Sequence, residues 1–179
     1  MHIEEESLVL MARKRDAEAF GELYELYFDR IYRYTAFKVR DLTEAEDITE
    51  EVFLKAWEAI ESYDLRGLPF VAWLFRIARN ATIDRWRQKA RRPESPLPEA
   101  FSLPSEDPVK ICEARLSSEE LHHAIKHLTE GQRQAIALRF GGGLSLLETA
   151  TAMGKTEGAI KALQHSGINA LRRLLVREK

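Results

Sequence analysis

Five of the six prolines in this 179-residue chain, Pro93, Pro96, Pro98, Pro104 and Pro108, fall in one short stretch among Ser95, Ser102 and Ser105. Each removes a backbone donor and crowds the preceding turn, so no helix can run through that spacing. The stretch also has little apolar surface to bury, which predicts an extended, mobile linker over about 93–116. The chain is thereby divided into two small modules, residues 1–92 and 117–179. At 45% hydrophobic and 31% charged, the composition is that of a soluble globular protein.

Both modules read as helix throughout. Ala19, Phe20, Leu23, Leu26, Tyr27, Ile31 and Tyr34 recur at three and four over 16–39. Residues 43–60 open on Thr43 and Glu46 in a capping-box pattern, then place Ile48, Val52, Ala56 and Ile60 on one face. Gly67 and Pro69 interrupt with a loop, and a long helix follows from about Phe70 to Ala90. Beyond the linker, helices are expected at about 117–128, 130–140, 145–153 and 157–175. Thr129 with Gln132, and Ser145 with Glu148, supply two of the caps. No segment has strand periodicity, so the expected fold is all-α, two helical domains on a tether.

The net charge of −2 hides a segregation. Residues 41–64 hold nine acids against Lys55, whereas 76–92 hold seven bases against Asp84. The window 93–120 is acidic, with seven acids and two bases, and 121–179 is basic, with nine bases and four acids. Two basic surfaces between acidic ones fit two nucleic-acid contacts and a separate protein partner. Solvated helix faces are the plainer alternative.

In the second module, Ala150, Gly154 and Ile160 have helix-turn-helix spacing. A small residue lets two helices approach, a glycine takes a left-handed turn, and an aliphatic side chain locks the second helix onto the first. Thr156 would cap that second helix. Its outward residues Glu157, Lys161, Gln164 and His165 would face a major groove, with Arg172 and Arg173 available to phosphates. An ordinary helical hairpin would share the pattern.

On the 70–91 helix, Arg76, Arg79, Asn80, Asp84, Arg87 and Arg91 fall within about 140° of arc at about 100° per residue. Val71, Leu74, Ile77, Ala78, Ala81 and Trp86 lie opposite, as core. Trp73 projects between Arg87 and Arg91, where an indole could stack on an unpaired base, or it could pack under the preceding loop. The acidic helix needs another partner, since Asp47, Glu50 and Glu51 repel phosphate. Phe53 and Trp57, four apart on its outer side, read as a protein-docking surface, or as core.

Three segments carry a family resemblance: Asp16-Ala-Glu-Ala-Phe-Gly-Glu-Leu-Tyr24, Glu44-Ala-Glu-Asp-Ile-Thr-Glu-Glu-Val-Phe-Leu-Lys-Ala-Trp57, and Phe70-Val-Ala-Trp-Leu-Phe-Arg-Ile-Ala-Arg-Asn-Ala-Thr-Ile-Asp-Arg85. With the helix-turn-helix behind them, the chain resembles the extracytoplasmic-function (ECF) sigma factors over essentially its whole length. The resemblance implies a specificity subunit of RNA polymerase without a catalytic site or cofactor of its own. It implies that 44–57 docks on the clamp helices of the polymerase β′ subunit, with further contact to β. It implies that the loop and helix over 61–91, including Tyr63 and Arg66, capture a flipped base and the non-template strand of the −10 element. The second module would read the −35 element as duplex, and an anti-sigma factor would hold the protein inactive.

This sequence departs from that pattern at the recognition helix, Glu157-Gly-Ala-Ile-Lys-Ala-Leu-Gln-His-Ser166, where many relatives carry arginines near Leu163 and Ser166. Fewer cations predict a weaker, less salt-sensitive −35 contact. Gly167 should cost about 1 kcal/mol relative to alanine, and Gly141-Gly142-Gly143 predicts a loose connection.

Two other classes compete. A dimeric regulator with a sensing domain would bind promoters without polymerase. An enzyme is weakly signalled, with no glycine-rich phosphate loop and no nucleophile and base paired. His123 and His127 have metal-ligand spacing beside Cys112 and His122, but read as surface or packing histidines, so no metal is expected. Cys112 is the sole cysteine, which excludes an internal disulfide. The acidic N-terminus and the short apolar runs argue against a signal peptide or membrane insertion, and the expected location is the cytoplasm.

Overall fold

The computed structural model describes residues 2–39, 41–91, 120–121 and 123–177. The expected linker, with Cys112 and His122, lies outside them. Among the described residues every regular element is helical, as the all-α reading expects. The order is α1 (His2–Ala12), α2 (Ala17–Lys38), α3 (Leu42–Ala59), a 3-10 turn (Ile60–Ser62), α4 (Phe70–Arg91), α5 (Glu130–Ile136), a π turn (Ala137–Gly141), α6 (Leu146–Met153) and α7 (Glu157–Arg177). A further helical turn covers 123–126.

In the first module α2 packs between α1, α3 and α4. Asp16 caps α2 by accepting from the amides of Glu18 and Ala19, both at 3.1 Å. Ala19, Leu23, Tyr27, Ile31 and Tyr34 then fall on its buried stripe, whereas Leu26 points outward. Helix α3 starts earlier than Thr43. Its cap is Asp41, whose carboxylate accepts from the Thr43 and Glu44 amides, so the expected Thr43–Glu46 capping box is not the one used. The reason is local: an ionised carboxylate accepts amide hydrogen bonds more strongly than a hydroxyl. Ile48, Val52, Ala56 and Ile60 are buried as expected. A buried polar ladder joins α2 to α3, with the Thr35 and Thr49 hydroxyls 3.0 Å apart and both bonding the Ala45 carbonyl. Helix α1 has no counterpart in the sequence reading. Its Val9 and Ala12 complete the core against α2.

In the second module the Thr129–Gln132 and Ser145–Glu148 capping boxes both form. The segment expected as one helix over 130–140 widens into the π turn at Ala137. Gly154 takes the left-handed conformation, φ 62° and ψ 40°, and closes α6. Gly167 is buried where α7 crosses α5. A Cβ there would lie 2.7 Å from Ile136 Cδ1, so its helix-propensity cost is offset by close packing.

The two modules share one core. Ala137, Leu138 and Leu144 belong to the same buried cluster as Tyr34 and Phe75. Tyr34 donates to Gln134 Oε1 at 3.1 Å and accepts from Gln134 Nε2 at 2.9 Å, both side chains being buried. Arg30 Nε donates to the Gly142 carbonyl at 3.0 Å. The triple glycine is therefore not the loose connection its composition predicts. Gly141 lies against the α2 backbone, and a Cβ at Gly142 would lie 2.5 Å from the Phe75 ring. Only Gly143, at φ 63°, is a free turn residue.

Candidate nucleic-acid interfaces and docking groove

Helices α2 and α3 leave an open apolar groove of about 430 Å³ between them, lined by Phe20, Tyr24, Glu50, Phe53, Leu54 and Trp57. Phe53 is not an outer residue. It is 5% exposed, with its ring centroid 4.6 Å from Tyr24 and 6.4 Å from Phe28, so it floors the groove. Trp57 is half-buried against Phe20 at 4.9 Å, with the Arg15 guanidinium 5.1 Å from its ring. Arg15 also pairs with Glu61 and donates to the Trp57 carbonyl at 2.9 Å, pinning the end of α3. Glu50 is exposed at the rim, Asp47 is exposed about one turn before it on α3, and Glu51 is paired with Lys55 at 2.6 Å. The carboxylates of Glu50 and Glu46 add to burial in raising the Tyr24 pKa above its ordinary value. Leu54, 65% exposed, was missed in the sequence, although Glu50, Glu51 and Glu58, three and four residues away on α3, share its face and put it on the solvent side. Apolar floor, exposed leucine and acidic rim together have the anatomy of a docking site.

The second surface is α4. Its core side is largely as expected: Val71, Leu74, Ala78 and Ala81 are buried, and Trp86 is half-buried under the Lys38 ammonium. Arg76, Arg79, Asn80, Asp84, Arg87 and Arg91 are all exposed, with Arg87 only loosely paired to Asp84 at 3.8 Å. Trp73 packs under the preceding loop, 4.9 Å from Tyr63 and 5.6 Å from Phe70, and keeps part of its surface exposed. Tyr63 is itself buried. Its hydroxyl donates to the Leu68 carbonyl at 2.7 Å and so fixes the loop that presents Arg66.

The third surface is the pair α6 and α7. Ala150 and Ile160 are buried at the crossing, and the Thr156 hydroxyl accepts from the Ala159 amide at 3.2 Å. Glu157, Lys161, His165, Arg172 and Arg173 are exposed along α7. Gln164 is less available, because it accepts from Arg139 Nε at 3.2 Å, and His165 bonds Asn169 at 2.9 Å. His123 and His127 pack edge to face, 5.0 Å apart, and among the described residues no group of three or more His, Cys, Asp or Glu could hold a metal ion.

Residues 23–92 match the model of sigma-70 region 2 and residues 124–173 that of sigma-70 region 4. The chain is 39% identical over 170 residues to the ECF RNA polymerase sigma factor BldN of Streptomyces coelicolor, covering 94% of this chain and 64% of BldN. It is 32% identical to the ECF RNA polymerase sigma factor SigW of Bacillus subtilis, over 93% of this chain and 94% of SigW.

The chain belongs to the ECF RNA polymerase sigma factors.

Among solved structures, CnrH in complex with the cytosolic domain of CnrY aligns with this sigma factor over 98% of its length and 99% of CnrH, at 25% identity and a TM-score of 0.71. The sigma factor RpoE of Bartonella quintana, solved with the anti-sigma factor NepR, shares the fold at a TM-score of 0.65 and 24% identity, over 91% of this chain. Family membership makes this sigma factor a specificity subunit for promoter-directed initiation.

Proposed function

We propose that this chain binds core polymerase through the α2–α3 groove, captures the opened −10 element on α4 and reads the −35 element with α7. The observation that carries the reading is the separation of three surfaces of different chemistry: an acid-rimmed apolar groove, an arginine-rich helix face and a helix-turn-helix. The groove suits an amphipathic helix, such as those of the β′ clamp, with its apolar face on Phe20, Leu54 and Trp57 and its basic residues toward Asp47 and Glu50. On α4 the cations would follow the phosphates of a single strand, and Asn80 beside them can hydrogen-bond a displaced base. Tyr63 acts by holding the loop rather than by stacking on the base. On α7, Lys161 and Gln164 would contact base edges, and Arg172 and Arg173 phosphates.

An anti-sigma factor is the expected inhibitor, as membership of the ECF family implies. None of the described helices is long and apolar enough to cross a membrane, and we place the protein in the cytoplasm with its polymerase. Run-off transcription with purified core polymerase on a promoter library tests the whole reading. Specific start sites that depend on the added chain are expected. No initiation together with undetectable core binding would overturn it.

A further inference from the structure

Among the described residues, Arg15 is the only one other than glycine with a positive φ, 66°. It closes α1. The Asp16 amide donates back to the Met11 carbonyl at 3.3 Å and the Arg15 amide to the Ala12 carbonyl at 2.9 Å, the paired bonds of a helix end whose left-handed position ordinarily takes glycine. A Cβ at such a position crowds the backbone, so arginine there is less favourable than glycine. Its side chain crosses to the end of α3. Nη1 donates to the Trp57 carbonyl at 2.9 Å, Nε donates to the Glu61 carboxylate, and the guanidinium carbon lies 5.1 Å from the Trp57 ring centroid. The last turn of α3 holds no basic residue of its own, so Arg15 brings the cation that a helix C-terminus favours.

We infer that Arg15 is a positioning residue for polymerase docking: it holds the Trp57 ring beside Phe20 and so fixes one wall of the α2–α3 groove. The inference rests on that groove being the polymerase site. As a fastening of the fold the clamp contributes little, because Arg15 and Glu61 are both partly exposed and water screens such pairs. What it restrains is the ring. Trp57 is half-buried, and it is met by Phe20 at 4.9 Å and by the guanidinium at 5.1 Å. An aromatic anchor already held in place spares a partner the entropy of ordering it. Glu61 neutralises the guanidinium, so the cation does not oppose a basic partner drawn by Glu50 at the rim. A residue that is unfavourable in its own turn therefore serves the neighbouring groove.

The test is a double-mutant cycle on the full chain, read as affinity for core polymerase. Arg15→Gly removes the guanidinium and gives the left-handed position to the residue that adopts it freely, so urea melts should show stability equal to the parent's or higher. Core binding should nevertheless weaken about three- to tenfold. In a Trp57→Ala background the same change should cost less than about twofold, since Arg15 acts through the ring. Arg15→Lys keeps the charge without the planar fork and should recover part of the affinity. Fluorotryptophan labelling gives each of Trp57, Trp73 and Trp86 its own fluorine resonance. Arg15→Gly should shift or broaden that of Trp57, assigned with Trp57→Phe, and leave the other two in place. Should Arg15→Gly misfold, Glu61→Ala, which releases the guanidinium without touching the α1 turn, carries the same expectations in the same cycle. Parental affinity in Arg15→Gly, with Trp57→Ala weakened, would overturn the inference. Equal losses in both backgrounds would overturn it too, by making Arg15 a direct contact with polymerase, as would a Trp57 resonance that does not move. Parental affinity in Trp57→Ala, with the resonance still moved by Arg15→Gly, would instead sink the groove as the polymerase site.

Discussion

Replacing Leu54 by alanine isolates the docking groove from the fold. Leu54 is 65% exposed on α3. Fully burying a leucine is worth about 1.5–3 kcal/mol, and only the exposed fraction remains to be covered by a partner, so occupancy of the groove can draw about 1–2 kcal/mol from this side chain. At about 1.4 kcal/mol per tenfold, that is a five- to thirtyfold weaker complex with core polymerase. Stability should barely move, because a surface substitution outside caps and cores costs within about 0.5 kcal/mol. Phe53→Ala is the control. Phe53 is 5% exposed under Tyr24 and Phe28, so its truncation should cost about 3–5 kcal/mol of folding and weaken polymerase binding only indirectly. The assay is fluorescence anisotropy of labelled chain titrated with core enzyme, alongside urea denaturation followed by tryptophan emission. All three tryptophans, Trp57, Trp73 and Trp86, lie in the first module, so the emission reports the module that carries the groove. An unchanged dissociation constant for Leu54→Ala, with Trp57→Ala equally silent, would show that polymerase docks elsewhere.

Gly21 sits inside α2 with nothing within 4 Å of a built Cβ, whereas that of Gly167 meets Ile136 Cδ1 at 2.7 Å. Gly21→Ala should therefore stabilise by about 0.5–1 kcal/mol in denaturant melts, and Gly167→Ala should give no gain or a loss through overpacking. Asn80→Ala should leave core affinity unchanged and slow promoter opening, read by permanganate reactivity of unpaired thymines; a matching loss of core affinity would refute the division of surfaces. Arg172→Ala should weaken duplex −35 binding uniformly across sequences and lower the slope of log affinity against log salt by about one. Burial, with Arg133 and Arg79 nearby, lowers the Lys38 pKa to about 8 despite Glu130, so the unfolded chain binds more protons than the folded one between about pH 8 and 10. Folding stability should rise with pH through that window. It should fall again above about pH 10, because burial raises the Tyr34 pKa and folding then opposes phenolate formation. Urea melts run against pH check both limbs.

Much of the site was legible because its signals are local. Thr129 with Gln132, Ser145 with Glu148, and Ala150, Gly154 and Ile160 encode caps and a turn within a few residues, and each forms. Helix α1 escaped because Leu8, Val9, Leu10 and Met11 run together without helical period, leaving packing on α2 to select its buried face. Phe53 and Trp73 read ambiguously because their angular position on a helix does not reveal what the neighbouring helix or loop covers. Tyr24 and Phe28 cover the first, and Tyr63 partly covers the second. The triple glycine misled most, since its partners Arg33, Tyr34 and Phe75 come from the other module.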